Sequence, residues 1–91
     1  MREEDATALE VAEVIAMTDK NIFQISYVVN ESEIIFTFNI SEQDEDAAWL
    51  IVDDAIGNIL LRTGKLCSGY GDLEYTFDHN SYIARVIYYL T

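Results

Sequence analysis

The order of apolar and polar residues divides the chain into a helical N-terminal segment and a longer strand-rich segment. Between Glu3 and Met17 the apolar residues recur with the period of an α-helix and share one stripe, which contains Ala8, Val11, Ala12 and Ile15. The acidic residues of this segment, among them Glu10 and Glu13, fall on the opposite side. The pattern predicts an amphipathic helix over residues 3–17.

From Ile22 onward the apolar period changes to two, which is typical of β-strands. Two consecutive segments alternate in this way, IFQISYVV over residues 22–29 and EIIFTFNI over residues 33–40. The intervening Asn30-Glu31-Ser32 is typical of a turn. We therefore expect a β-hairpin whose first strand presents one apolar face, formed by Phe23, Ile25, Tyr27 and Val29.

Four more strands are predicted after the polar loop SEQDED. They are AWLIVDD (48–54), ILLRTGKL (59–66), DLEYTFD (72–78) and YIARVIYYL (82–90). Gly57-Asn58 would turn the chain between the first two, either as a two-residue loop or within a longer loop from Asp54 to Asn58. In the third, Leu73, Tyr75 and Phe77 are expected to point inward.

The predicted fold class is α+β, mainly β, with one N-terminal helix followed by about six antiparallel strands. At 91 residues the chain is one domain, residues 1–91, with its β region over residues 22–91. No βαβ spacing occurs, which disfavours a parallel sheet. Six strands are too many for one flat sheet under a single short helix, so a small sandwich or barrel-like sheet is expected.

The charge of the chain changes this picture most. Seventeen acidic residues against five basic ones give a formal net charge of -12. A field of this sign repels nucleic acid and anionic membranes and attracts basic proteins. The expected partner is therefore a basic protein surface, such as that of a nucleic-acid-binding protein, with no direct nucleic acid and no membrane. The alternative is that the charge only keeps the protein soluble.

No residue pattern indicates catalysis, a metal or a cofactor. His79, the only histidine, lies in a predicted turn, and Cys67, the only cysteine, is expected to be a small apolar strand-end residue. The acidic loop from Glu42 to Asp46 lacks the ligand spacing and the glycine of a calcium loop. We therefore expect a protein that is not an enzyme, with no catalytic residues, no metal site and no cofactor.

The candidate partner-binding residues surround Trp49, the only tryptophan. Four acids, Glu42, Asp44, Glu45 and Asp46, precede it. Further acids on the expected outer positions complete the candidate set, namely Asp53, Asp54, Glu10 and Glu13. Aromatic side chains dominate binding energy at protein interfaces, while carboxylates supply steering and register. The sequence predicts that these residues form one anionic face that docks on a basic partner.

The resulting hypothesis is a small acidic protein that binds and inhibits a basic nucleic-acid-processing protein. Mimicry of nucleic acid is one way in which it could do so. In size and charge the chain resembles phage-encoded anti-defence inhibitors, although no motif supports that resemblance. An immunity protein that neutralises a nuclease toxin is one alternative. A self-assembling structural β-domain, such as a virion or appendage component, is another, because the last predicted strand is apolar on both faces and would invite homodimer pairing if it were an edge strand.

The expected compartment is the cytoplasm, which would be the host cytoplasm if a phage encodes the chain. The N-terminus MREEDATALE is acidic and lacks the apolar core of a signal peptide. No apolar run approaches the ~20 residues that span a bilayer. A single cysteine cannot form an intrachain disulfide, which also disfavours a small secreted domain.

Overall fold

The structure is a computed structural model and describes residues 2–90. Two helices and five strands follow one another in the order α1 (Glu3–Thr18), β1 (Ile22–Val29), β2 (Glu33–Ile40), α2 (Glu45–Thr63), β3 (Ser68–Gly69), β4 (Glu74–Thr76) and β5 (Ser81–Tyr89). The antiparallel α+β class predicted from the sequence is confirmed. The second layer, which we expected to be another sheet or the far side of a barrel, consists of the two helices.

The N-terminal helix and the first hairpin lie where the periodicity places them. Helix α1 buries Ala8, Val11, Val14 and Ile15, and strands β1 and β2 pair antiparallel along their length. The register shifts between Phe23 and Ser26, and Gln24 has a left-handed φ of 55°. This bulge changes the face of Phe23, which we expected to share a face with Ile25. Ile22 takes the core position instead.

The third and fourth predicted strands are wrong, because residues 45–63 form one helix, α2. Its buried residues Ala48, Ile51, Val52, Ala55 and Ile59 have helical spacing. Asp44 caps the N-terminus by accepting a hydrogen bond from the backbone N–H of Asp46, 3.1 Å long. Gly64 ends the helix in the left-handed conformation, and its N–H donates to the Leu60 carbonyl. Gly57-Asn58 is therefore helical rather than a turn.

The strands form one open sheet with the order β1-β2-β5-β3, and β4 also pairs with β5. Strand β5 is therefore central, since β2 lies on one side of it and β3 and β4 lie on the other. The last strand is therefore not an edge strand, which is the condition on which homodimer pairing through it depended. Ala84, Val86 and Tyr88 on one face of β5 belong to the core that the helices cover, and Ile87 on the other face is also buried.

Both helices cover the same face of this sheet. A single core contains the inward residues of β2 and β5 together with those of α1 and α2. Phe36 and Phe38 of β2 and Val86 of β5 are fully buried there. Within residues 2–90, neither helix is long and apolar enough to cross a membrane. The result is a two-layer molecule with a helical side and a sheet side.

Candidate functional site

The two layers differ sharply in charge. Helix α1 contains five acidic residues and α2 contains four, so nine of the 17 carboxylates belong to the helices, beside a single basic residue, Arg62. The five strands contain two acids, Glu33 and Glu74, and one base, Arg85. Because both helices lie on one face of the sheet, the helical side of the molecule is strongly anionic.

The acids at the start of α2 also have a structural role. Asp44 supplies the N-cap, and Glu45 and Asp46 lie in the first turn, where negative charge interacts favourably with the helix dipole. All three side chains are exposed, whereas Glu42 in the preceding loop is half-buried. These carboxylates therefore face solvent while they stabilise the helix that carries them.

Trp49 lies on the side of α2 that faces β3. Its ring packs against the core, and its Cζ3 atom lies 3.9 Å from the position that a Cβ atom would take on Gly69. Residues three and four apart on a helix are neighbours on its surface. Glu45, Asp46 and Asp53 are therefore one turn from Trp49, which leaves this half-buried indole flanked by three exposed carboxylates.

An aromatic cluster lies on the neighbouring strands. The ring centroids of Tyr75 and Tyr82 are 5.1 Å apart, and those of Tyr75 and Phe77 are 5.0 Å apart, both in edge-to-face geometry. Phe77, which we expected to point inward, is 84% exposed. Phe77 is therefore an exposed ring in edge-to-face contact with a half-buried tyrosine, and large aromatic side chains of this kind are enriched at protein interfaces.

The acids of α2 and the aromatic cluster are electrostatically connected through Tyr82. Desolvation first, and then the charge of Glu45, raise the pKa of the Tyr82 phenol, and Asp44 contributes in the same direction. Helix α2 packs against β5, so we group the acids at the start of α2 with the aromatic residues at the start of β5. We name this region the acid–aromatic surface and define it by six residues: Asp44, Glu45, Trp49, Tyr75, Phe77 and Tyr82.

The structure does not bring every candidate residue to this surface. Asp53 shares the Trp49 side of α2, but Asp54 is displaced by 100° around the helix and points away from that side. Glu10 and Glu13 are exposed on the other helix, α1. The candidate set thus divides into the acids around Trp49 and a second group of three, Glu10, Glu13 and Asp54.

The carboxylates are not neutralised within the molecule. Among the described residues the one ion pair joins Arg2 Nε to Asp5, at 3.9 Å. Lys65 instead donates to the backbone carbonyls of Tyr89 and Leu90, and its ammonium group lies 5.7 Å from the centroid of the Tyr88 ring. The negative field of the helical side is therefore directed at solvent and at whatever binds there.

The remaining chemistry-bearing residues have structural surroundings. Burial raises the pKa of the Cys67 thiol to about 11, so the thiol is protonated at neutral pH. His79 follows β4 in a turn, and its ring meets the Phe23 ring edge-on at 6.4 Å. Within residues 2–90, no three His, Cys, Asp or Glu side chains come together as a metal site.

The sequence interpretation expected tyrosines to serve as anchors beside Trp49 but did not include Tyr75, Phe77 or Tyr82 in the candidate set. The alternation in residues 72–78 indicated a long strand with Phe77 inside, but β4 ends at Thr76. The signal that would have found these residues is the turn chemistry of Asp78-His79-Asn80, where Asn80 has a φ of 47° and brings β5 back beside β4.

Comparison with known proteins finds no matching family, no matching curated protein and no matching solved structure.

Proposed function

We propose that this protein is a small, acidic, non-enzymatic interaction protein that binds the basic surface of a nucleic-acid-processing partner and inhibits it. The observation that carries the proposal is the uneven distribution of charge, with nine carboxylates and one basic residue within the two helices. Basic channels that neutralise phosphates are the surfaces most strongly attracted to such a field.

The number of acidic residues per unit of surface area shows whether the protein could imitate DNA. The molecule exposes 5524 Å², which divided among 17 acids is about 325 Å² for each. Duplex DNA, with one charge per ~1.7 Å of axis, is about three times denser. Evenly spread acids would therefore not imitate DNA. If the helical side is taken as half of this surface, its nine acids have about 307 Å² each, so it attracts basic surfaces without reaching the charge density of DNA.

The acid–aromatic surface supplies specificity within this field. Trp49, Tyr75 and Phe77 are the anchors, because large aromatic side chains dominate interface energies. The carboxylates of Asp44 and Glu45 beside them supply register against lysine and arginine side chains. A phage inhibitor of host defence and an immunity protein against a nuclease toxin would use the same surface, and the identity of the partner separates these two roles.

The test is affinity capture from an extract of the cells in which the chain acts, which are the host cells if a phage encodes it. The variant replaces Glu45→Gln, Asp46→Asn and Asp53→Asn and leaves the cap residue Asp44 intact. The wild type should retain a basic nucleic-acid-binding protein at low salt and release it at high salt. The variant should retain at least about tenfold less of this partner than the wild type does, which corresponds to a loss of about 1.4 kcal/mol of binding free energy.

The matched control replaces Glu3→Gln, Glu4→Gln and Glu31→Gln. It has the same net charge as the variant, and two of its three changes also remove acids from the first turn of a helix. These residues lie near Tyr88 and Leu90, at the end of β5 opposite Tyr82, which is about 23 Å away along a strand of this length. Equal capture by variant and control would contradict the proposal, as would a captured partner whose nucleic-acid binding the wild type leaves unchanged.

A further inference from the structure

The two helices leave an open groove of mixed apolar and polar lining that the acid–aromatic surface does not include. Its lining residues are Val14, Met17, Asn58, Leu61 and Arg62, and its volume is about 370 Å³. Asn58 Nδ2 donates an exposed 3.1 Å hydrogen bond to the Thr18 hydroxyl, which joins the helices beside the groove. The groove is therefore held open by packed secondary structure rather than by a loop.

Two of the three apolar side chains that line this groove are strongly exposed, while Val14 is buried. Met17 is 70% exposed and Leu61 is 86% exposed, and Leu50, which lies three turns before Leu61 on the same side of α2, is 64% exposed. Single exposed apolar residues are ordinary, whereas apolar residues grouped along adjoining helices mark an interaction surface. Gly57 lies between Leu50 and Leu61 along α2, and no atom lies within 4 Å of the position that its Cβ would take. The surface of α2 between these two leucines is therefore open.

The charges around the groove determine what can occupy it. Glu10 is one turn before Val14, Glu13 is one turn before Met17, and Asp54 is one turn before Asn58, so all three exposed acids border the lining. Arg62 is the single base there. The lining therefore has an apolar floor with a mainly anionic rim.

We propose that this groove binds a basic amphipathic segment of the partner protein, with an apolar side chain against Met17 and Leu61 and lysine or arginine side chains against Glu10, Glu13 and Asp54. The inference rests on the proposed function and adds the chemistry of the partner to it. A second copy of this chain fits poorly, because it would bring nine helical carboxylates against nine others. An acidic segment would meet the same repulsion.

The test uses a synthetic helical peptide of leucine and lysine arranged with the α-helical period, and NMR amide shifts to locate it on the protein. Binding should perturb the amides of Val14, Met17, Asn58 and Leu61. A peptide of leucine and glutamate, and one of glutamine and lysine, should bind about tenfold more weakly or not at all, because each lacks one half of the complementarity.

Two substitutions locate the site. Leu61→Gln should weaken binding of the leucine–lysine peptide about tenfold or more, whereas Leu66→Gln, at a leucine that is 67% exposed and lies outside the groove, should leave it unchanged. Both side chains are exposed, so neither change removes core packing. Replacing Glu10→Gln, Glu13→Gln and Asp54→Asn should weaken binding and flatten its dependence on salt.

Four results would overturn the inference. The first is no binding, and the second is equal binding by the Leu61→Gln and Leu66→Gln variants. The third is a wild-type dimer in sedimentation analysis that Leu61→Gln dissolves, since a second copy would then cover the groove. Shifts confined to Trp49, Tyr75 and Phe77 would also overturn it while leaving the proposed acid–aromatic docking intact.

Discussion

Asn39 and Ser81 form a buried hydrogen bond between the side chains of neighbouring strands, with Asn39 Nδ2 donating to Ser81 Oγ over 3.0 Å. They are the two buried polar side chains of the described residues. The bond fixes the start of β5 against the end of β2. It thereby positions Tyr82, the next residue, beside the acids of α2.

Removing the Ser81 hydroxyl should destabilise the fold and disturb this position. We expect Ser81→Ala to lower the free energy of unfolding by about 1–3 kcal/mol, because the Asn39 amide is left buried without its acceptor. Urea unfolding measures the change. Ser26→Ala, at an exposed serine of β1, is the control and should change stability by less than about 0.5 kcal/mol. A loss no larger than the control's would mean that water replaces the hydroxyl.

Phe77 and Phe36 should respond in opposite ways to truncation. Phe77→Ser should change the free energy of unfolding by less than about 0.5 kcal/mol, because the ring is mostly exposed, yet it should weaken capture of the partner. Phe36→Ala should cost about 3–5 kcal/mol, because Phe36 is fully buried. Thermal or urea unfolding and affinity capture check both. A large stability loss from Phe77→Ser would show that the ring is covered.

Substitutions can separate the two roles of Asp44, which are to cap helix α2 and to supply negative charge. Asp44→Ala should lower stability by about 0.5–2 kcal/mol, since the Asp46 N–H loses its acceptor, while Asp44→Asn keeps a capping oxygen and should cost less. Urea unfolding of the two variants gives the difference. If binding of the partner depends on charge at this position, both variants should bind equally weakly despite their unequal stabilities. Unequal binding would assign Asp44 a purely structural role.

The elements that periodicity predicted correctly are those whose alternation is unambiguous. Helix α1 has a helical stripe, and β1 and β2 alternate on either side of a clear turn, so their bounds follow closely from the residues. Local patterns also place acids near Trp49. These are the parts of the fold that one segment determines by itself.

Helix α2 was missed because its composition and its spacing disagree. Ile51, Val52 and Ile59 are β-branched, and Gly57-Asn58 is a frequent turn pair, so composition favours a hairpin. The buried residues are nonetheless spaced three and four apart, and Asp44 and Gly64 are typical start and stop residues. Packing of this stripe against α1 and β5 outweighs the propensity. The aromatic cluster and the groove depend on such tertiary contacts and could not be read from one segment.

The buried thiol of Cys67 predicts a stability change at high pH. Its pKa of about 11 exceeds the usual value of 9.0, so the folded protein holds the proton where the unfolded chain releases it. Stability from this group is complete below about pH 9 and falls as the pH rises toward 11. Urea unfolding at pH 8 and pH 10.5 should therefore show a smaller loss for Cys67→Ala than for the wild type. An equal loss would show that the thiol ionises normally in the folded protein.

The two glycines of α2 should respond oppositely to the same substitution. Gly57 lies inside the helix with open space where a Cβ would be, so Gly57→Ala should stabilise the fold by about 0.5–1 kcal/mol. Gly64 has a φ of 76° at the helix end, so Gly64→Ala should destabilise it by about 1–2 kcal/mol. Urea unfolding of both variants checks the sign. In the hairpin that composition favours, Gly57 would lie in a turn and its replacement would also destabilise, so a loss at both positions would contradict a continuous α2.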